Sequence, residues 1–108
     1  MSISILGAGA FGTALAVTFA RTGSKVHLWG RNMKFMQKLA AEQSNKKYLP
    51  SASFPKSMSI SQDLESSLDS DIILFAVPTQ KLSSLLERVA QTLNGKLLVA
   101  CCKGIDLS

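Results

Sequence analysis

The sequence predicts an α/β domain built on a parallel, twisted sheet, and three observations carry that prediction. Short apolar runs alternate with stretches of helical periodicity along the whole chain. Glycines fall where a strand must turn or a helix must stop. The apolar run from Ile72 to Val77, bounded by Asp71 and Pro78, reads as a parallel strand covered on both faces and so belongs in the middle of a sheet.

Taken in order, Ser2 to Leu6 is a short apolar strand ending at Gly7. The run from Gly12 to Thr22 carries Ala14, Leu15, Val17, Thr18 and Phe19 before Gly23 stops it, which predicts a tight turn followed by a helix. Ser24 to Trp29 predicts a second strand, because Val26 and Leu28 alternate with polar neighbours, and Gly30 ends it. From Asn32 to about Gln43, Met33, Met36, Leu39 and Ala40 recur at helical spacing behind an asparagine suited to cap a helix. Residues 44–57 hold Ser, Asn, Lys, Pro50 and Pro55 and read as a loop. Met58 and Ile60 predict a short strand, followed by one or two helical turns around Asp63 to Leu68. After the interior strand, Leu82, Leu85, Leu86, Val89 and Leu93 mark the clearest amphipathic helix, closed by Asn94-Gly95, and Leu97 to Cys102 supplies a further buried strand. Each crossover between parallel strands is expected to be right-handed.

At 108 residues, 46% hydrophobic and 18% charged, the chain fits one globular domain rather than a disordered segment. Cys101 and Cys102 are the only cysteines, and their adjacency offers no disulfide framework, metal-ligand spacing or Cys-x-x-Cys pair. Free thiols suit a reducing compartment, and a cytoplasmic location is expected. The first twenty residues are apolar, but no Lys or Arg precedes them and three glycines interrupt them, so they read as folded protein rather than a signal peptide. No window reaches the roughly eighteen uninterrupted apolar residues of a membrane span, and no membrane insertion is expected.

The net charge of +5 is unevenly placed, because seven of the twelve Lys and Arg residues lie within residues 1–47, where Glu42 is the only acid. That half is expected to meet something anionic. Nucleic acid is a weak candidate, since no recognised motif or aromatic stacking platform accompanies the charge.

Gly7-Ala8-Gly9-Ala10-Phe11-Gly12 matches G-x-G-x-x-G between a first strand and a first helix, where a dinucleotide-binding turn belongs. Gly7 would permit the tight turn, Gly9 would let a pyrophosphate approach the backbone, and Gly12 would let the helix pack closely on the strand. The ligand's charge would face N–H groups at a helix start. The alternative is a glycine-rich turn with no ligand. No Gly-Lys-Ser/Thr follows, so hydride chemistry fits better than phosphoryl transfer. The fold expected is a Rossmann-type doubly wound parallel sheet, with residues 1–108 as an NADP(H)-binding domain.

Domains that take NAD place an Asp or Glu about twenty residues beyond the glycines. Here no acid occurs from Thr13 to Ala41, and the second strand ends in Trp29-Gly30-Arg31-Asn32. A carboxylate there would repel a 2′-phosphate, whereas the Arg31 guanidinium can bind one through paired hydrogen bonds. The expected cofactor is therefore NADP(H), with NAD(H) also admitted. Arg31 is expected to hold the 2′-phosphate and Lys34 to help electrostatically, although a solvated surface lysine is the plainer reading of Lys34. Trp29 is expected beside the adenosine ribose.

With these motifs placed, the chain resembles the N-terminal domain of bacterial-type glycerol-3-phosphate dehydrogenases. The resemblance rests on Gly7-Ala-Gly-Ala-Phe-Gly-Thr-Ala-Leu-Ala16, Leu28-Trp-Gly-Arg-Asn32, Asn45-x-x-Tyr48-Leu-Pro50, Ala76-Val-Pro-Thr-Gln80 and Lys103-Gly-Ile-Asp106, which cover nearly the whole chain in the family's order. It implies interconversion of dihydroxyacetone phosphate and sn-glycerol 3-phosphate by hydride transfer, supplying phospholipid synthesis. Ala10 and Phe11 match positions against the cofactor's pyrophosphate, where the family more often has Ser and Trp. Arg31 and Tyr48 match cofactor-contacting positions. Lys103 matches a lysine near both the nicotinamide and the substrate phosphate, and its position after the last strand also suits ligand contact at the sheet edge.

The resemblance further implies that the proton-transferring lysine lies in a second, helical domain. No catalytic residue is therefore assigned in this chain, which is expected to be the cofactor-binding half of a two-domain enzyme, inactive alone and a homodimer at full length. Thr79 and Gln80 could face the nicotinamide, although Thr79 is read as a helix cap. His27 is given no role, and no metal site is expected. The competing readings are another NADP-dependent dehydrogenase, such as a ketopantoate, pyrroline-carboxylate or 6-phosphogluconate enzyme, and a nicotinamide-sensing module without catalysis. The Tyr48-Leu-Pro and Lys103-Gly motifs argue against the former.

Overall fold

Among the described residues, the alternation of apolar strand and helix segments builds a five-stranded sheet with helices on both faces. The computed structural model describes residues 2–47, 49–61, 63–77, 84–87, 89 and 97–100. In chain order these form β1 (Ser2–Leu6), α1 (Ala10–Arg21), β2 (Lys25–Trp29), α2 (Met33–Glu42), β3 (Ser44–Asn45), β4 (Leu49–Ser53), β5 (Met58–Ser61), α3 (Leu64–Ser67), β6 (Ile72–Phe75) and β7 (Leu97–Ala100). Residues 84–87 and 89 are helical and lie within the helix expected after Pro78.

The large sheet runs β5-β2-β1-β6-β7, every neighbouring pair parallel. This is the 3-2-1-4-5 order of a doubly wound fold, with the direction of winding reversing between β1 and β6. Alternation along each strand divides the core into two layers. Ile3, Ile5, Val26, Leu28, Leu74 and Ala76 face a layer with Ala16, Val17 and Ala20 of α1 and Met36 and Leu39 of α2. Leu6, Trp29, Ile73, Phe75 and Val77 face the other layer, with Leu64, Leu68, Leu85 and Val89. β6 is thus apolar on both sides because it is covered on both sides.

Serines pin the second layer. Ser4, fully buried in β1, donates its hydroxyl to the Ser67 carbonyl and lies 2.7 Å from the Ser70 hydroxyl. The Ser67 hydroxyl reaches Ser61 at 2.7 Å, tying α3 to the end of β5. These bonds let a polar strand residue sit in the core without an unmatched group.

Two expectations need correction. Residues 44–57 are not simply a loop: β3 and β4 pair antiparallel, and the Phe54 amide donates to the Gln43 carbonyl at 2.8 Å to close the unit. α2 ends with Gln43 in the left-handed region at φ 54°, which turns the chain sharply into β3. The helix expected from Gly12 begins two residues earlier, at Ala10, with Gly9 as its cap. No helix among the described residues is long and apolar enough to cross a membrane.

Candidate functional site

The register of the central strands brings the glycine turn and the end of β2 together. Leu6 pairs with Trp29 on one side and Phe75 on the other, so β1, β2 and β6 finish level at one edge. Just beyond, the Gly7 amide donates to the Trp29 carbonyl at 2.7 Å, and the Ala76 amide donates to the Leu6 carbonyl at 2.8 Å. The turn at Gly7–Gly12 therefore lies against the end of β2 and Gly30, the residue before Arg31, at the switch of winding where such sheets bind ligands.

The three motif glycines answer to different demands. Gly7 has φ +126°, and a Cβ there would fall 2.2 Å from the Ala76 carbonyl oxygen. A Cβ on Gly12 would fall 1.9 Å from the Gly7 carbonyl oxygen, so only glycine lets α1 lie this close to the turn. Gly9 has an ordinary extended backbone, φ −77° and ψ −166°, and nothing within 4 Å of where a Cβ would be. Protein packing explains Gly7 and Gly12. It leaves Gly9 unexplained, and the open space beside it is what a ligand pressed against the backbone requires.

The helix starts differ in the same sense. Asn32 Oδ1 accepts from the Phe35 amide at 3.0 Å to cap α2, and Asp63 Oδ1 accepts from the Glu65 amide at 3.2 Å to cap α3. α1 is capped by Gly9 with no side-chain bond and has no acid in its first turn. No side chain thus caps the positive end of its dipole at the turn, a favourable place for an anion. Ala10 and Phe11 form the exposed first turn, Phe11 being 37% exposed.

Arg31 is exposed directly after Gly30, and Lys34 is exposed in the first turn of α2. Gly30 allows α2 to close on this edge, since a Cβ there would meet Met36 Sδ at 2.7 Å and Ala8 Cβ at 3.0 Å. Trp29 differs from expectation: its carbonyl belongs to the site, but its indole is buried on the opposite layer with Leu64 and Leu68. Tyr48, Thr79, Gln80 and Lys103 lie outside the described residues. His27 Nδ1 lies 2.7 Å from the Ser59 hydroxyl, a pairing within the sheet away from the turn. Among the described residues no group of three or more His, Cys, Asp or Glu is placed to hold a metal ion.

One contributor was not assigned a role from sequence. Asn45 of β3 is fully buried, and its Nδ2 donates to the Ala8 carbonyl at 3.1 Å and to Thr13 Oγ1 at 2.8 Å. Thr13 Oγ1 in turn donates to the Ala8 carbonyl at 3.3 Å. The Asn45-x-x-Tyr48 pattern singled the residue out, but nothing in local sequence indicates a contact 32 to 37 positions away.

A family model described as NAD-dependent glycerol-3-phosphate dehydrogenase N-terminus matches residues 2–108. The glycerol-3-phosphate dehydrogenase (NAD(P)+) of Prosthecochloris aestuarii is 44% identical over 109 residues, covering 99% of this chain and 33% of that protein. Among solved structures, glycerol-3-phosphate dehydrogenase from Coxiella burnetii superposes with a TM-score of 0.85 at 36% identity, covering 91% of this chain and 30% of that one. The enzyme of the same name from Plasmodium falciparum superposes at 0.75 with 26% identity, covering 93% and 31%. The chain spans about a third of the length of the curated relatives it matches.

Proposed function

From the premise that the chain belongs to the NAD-dependent glycerol-3-phosphate dehydrogenase family, matching its N-terminal domain, we propose that it binds NADP(H), with NAD(H) as a weaker alternative, for reduction of dihydroxyacetone phosphate to sn-glycerol 3-phosphate. The observation that carries the reading is the glycine turn itself. α1 begins without a side-chain cap, beside the open flank of Gly9 and against the strand end that carries Arg31.

These residues fit a dinucleotide. The amides at the start of α1 receive the pyrophosphate, and Gly9 lets it lie against the backbone. Exposed Arg31 would hold the 2′-phosphate through charge-assisted hydrogen bonds, and Lys34 would add electrostatic attraction. The lack of acidic residues from Thr13 to Ala41 removes the repulsion a carboxylate would impose there. Tyr48 is assigned a cofactor contact by family resemblance.

When bound, the reduced nicotinamide supplies a hydride to the substrate's carbonyl carbon. Lys103 is assigned the substrate phosphate and the neighbourhood of the nicotinamide, where its ammonium neutralises the phosphate or polarises the carbonyl oxygen. The proton for that oxygen is assigned to a lysine of a second, helical domain. On this reading residues 1–108 belong to the cofactor-binding domain of an enzyme that is a cytoplasmic homodimer at full length.

The test is NADPH oxidation by the full-length protein with dihydroxyacetone phosphate, followed by loss of reduced-nicotinamide absorbance. Oxidation that depends on this substrate is expected. Oxidation driven by another carbonyl compound, with none from dihydroxyacetone phosphate, contradicts the assignment.

A further inference from the structure

We infer that Asn45 is a positioning residue for the cofactor site, orienting the Gly9 amide toward the pyrophosphate by holding the Ala8 carbonyl from behind; the inference rests on the dinucleotide reading above. A carbonyl oxygen only accepts, so the group of Asn45 that faces Ala8 is the amide nitrogen, and both its hydrogens are in use, one on Ala8 and one on Thr13 Oγ1. Thr13 adds a second donor to the same carbonyl. The Ala8 oxygen is thereby fixed toward the interior by two side chains, one from α1 and one from β3.

The consequence follows from peptide geometry. The Ala8–Gly9 peptide is trans and planar, so its C=O and N–H point in opposite directions. With the oxygen drawn inward, the Gly9 N–H is aimed away from Asn45, and the space at the Gly9 Cβ position is open, with nothing within 4 Å outside its chain neighbours. An unanchored turn of glycines would let this peptide plane rotate and lose the donor, because glycine imposes little preference of its own. Asn45 is held for the task by the segment around it: the left-handed Gln43 turns the chain after α2, and the Phe54 amide bonds back to the Gln43 carbonyl at 2.8 Å.

Aspartate at this position would set carboxylate oxygens against a carbonyl oxygen, so charge-neutral donation is what the position selects.

The test measures dissociation constants of the full-length protein for NADPH and for adenosine 2′-phosphate, which carries the 2′-phosphate but no pyrophosphate. Asn45→Ala is expected to weaken NADPH by roughly tenfold or more, the scale of one hydrogen bond to a charged group, while adenosine 2′-phosphate changes little. Thr13→Val, which removes one donor to Ala8, is expected to fall between, and Thr13→Ser to restore unmodified affinity. A purely structural role would weaken both ligands together, and that parallel loss overturns the inference, as does unchanged NADPH affinity in Asn45→Ala. If Asn45→Ala folds poorly, the Thr13→Val and Thr13→Ser pair decides by the same criteria. An unmodified protein that binds neither nucleotide overturns the parent reading and this one with it.

Discussion

Replacing Gly7 and Gly9 separately by alanine should uncouple folding from cofactor binding. At Gly7 the added methyl would sit 2.2 Å from a backbone oxygen and 2.7 Å from a backbone carbon of Ala76, in a residue with φ +126°. Neither atom can swing aside as a side chain would. The left-handed backbone costs on the order of 1–2 kcal/mol and the overpacking on the order of 1–3 kcal/mol, so Gly7→Ala should lose about 2–5 kcal/mol of stability. At Gly9 the methyl meets no atom within 4 Å outside its chain neighbours, and φ −77° suits alanine. Gly9→Ala should therefore be neutral, or stabilising by about 0.4–1 kcal/mol through the unfolded chain, yet lose at least tenfold in NADPH affinity, about 1.4 kcal/mol. Urea unfolding of the apo full-length protein and NADPH titration of the same samples measure the two effects. Equal destabilisation by both substitutions, or a Gly9→Ala protein that binds NADPH normally, refutes the division of roles.

Arg31→Asp should weaken NADPH much more than NADH, by roughly 10–150-fold for the loss of charge-assisted hydrogen bonds, and parallel titrations showing equal losses would count against Arg31 as the 2′-phosphate ligand. Asn32→Ala removes the cap of α2 and should cost about 1 kcal/mol in urea unfolding; no loss would mean the 3.0 Å bond to the Phe35 amide contributes nothing net. Ser4→Ala leaves the Ser67 carbonyl and Ser70 hydroxyl without that partner in the core, and should cost about 1–3 kcal/mol without altering NADPH affinity. Trp29, 4% exposed and packed on Leu64 and Leu68, should emit at short wavelength and resist quenching by acrylamide; a red-shifted, accessible emission would contradict its placement.

The sheet and its helices were legible because apolar runs and glycine stops are local signals with fixed periods. Ile72 to Phe75 shows this, its continuous hydrophobicity reflecting cover on both faces. The turn was legible for the same reason, since Gly7, Gly9 and Gly12 stand between a strand and a helix. The alternation that marks Val26 and Leu28 as one face also places Trp29 on the other, so the side of the sheet on which the indole is buried is written in that pattern. The β3–β4 pair was not legible: two residues of β3 leave no period to detect, and Pro50 within β4 argues against a strand unless it lies at an edge. Asn45 was harder still, because its value lies in contacts made only after α2 and the left-handed Gln43 carry it back to the glycine turn.

A crystal structure of the full-length protein with NADPH tests the central claim most directly. The account predicts the pyrophosphate at the start of α1, within hydrogen-bond reach of the Gly9 amide and against its open flank, with the 2′-phosphate beside Arg31. A dinucleotide whose pyrophosphate lies away from the Gly7–Gly12 turn would contradict it.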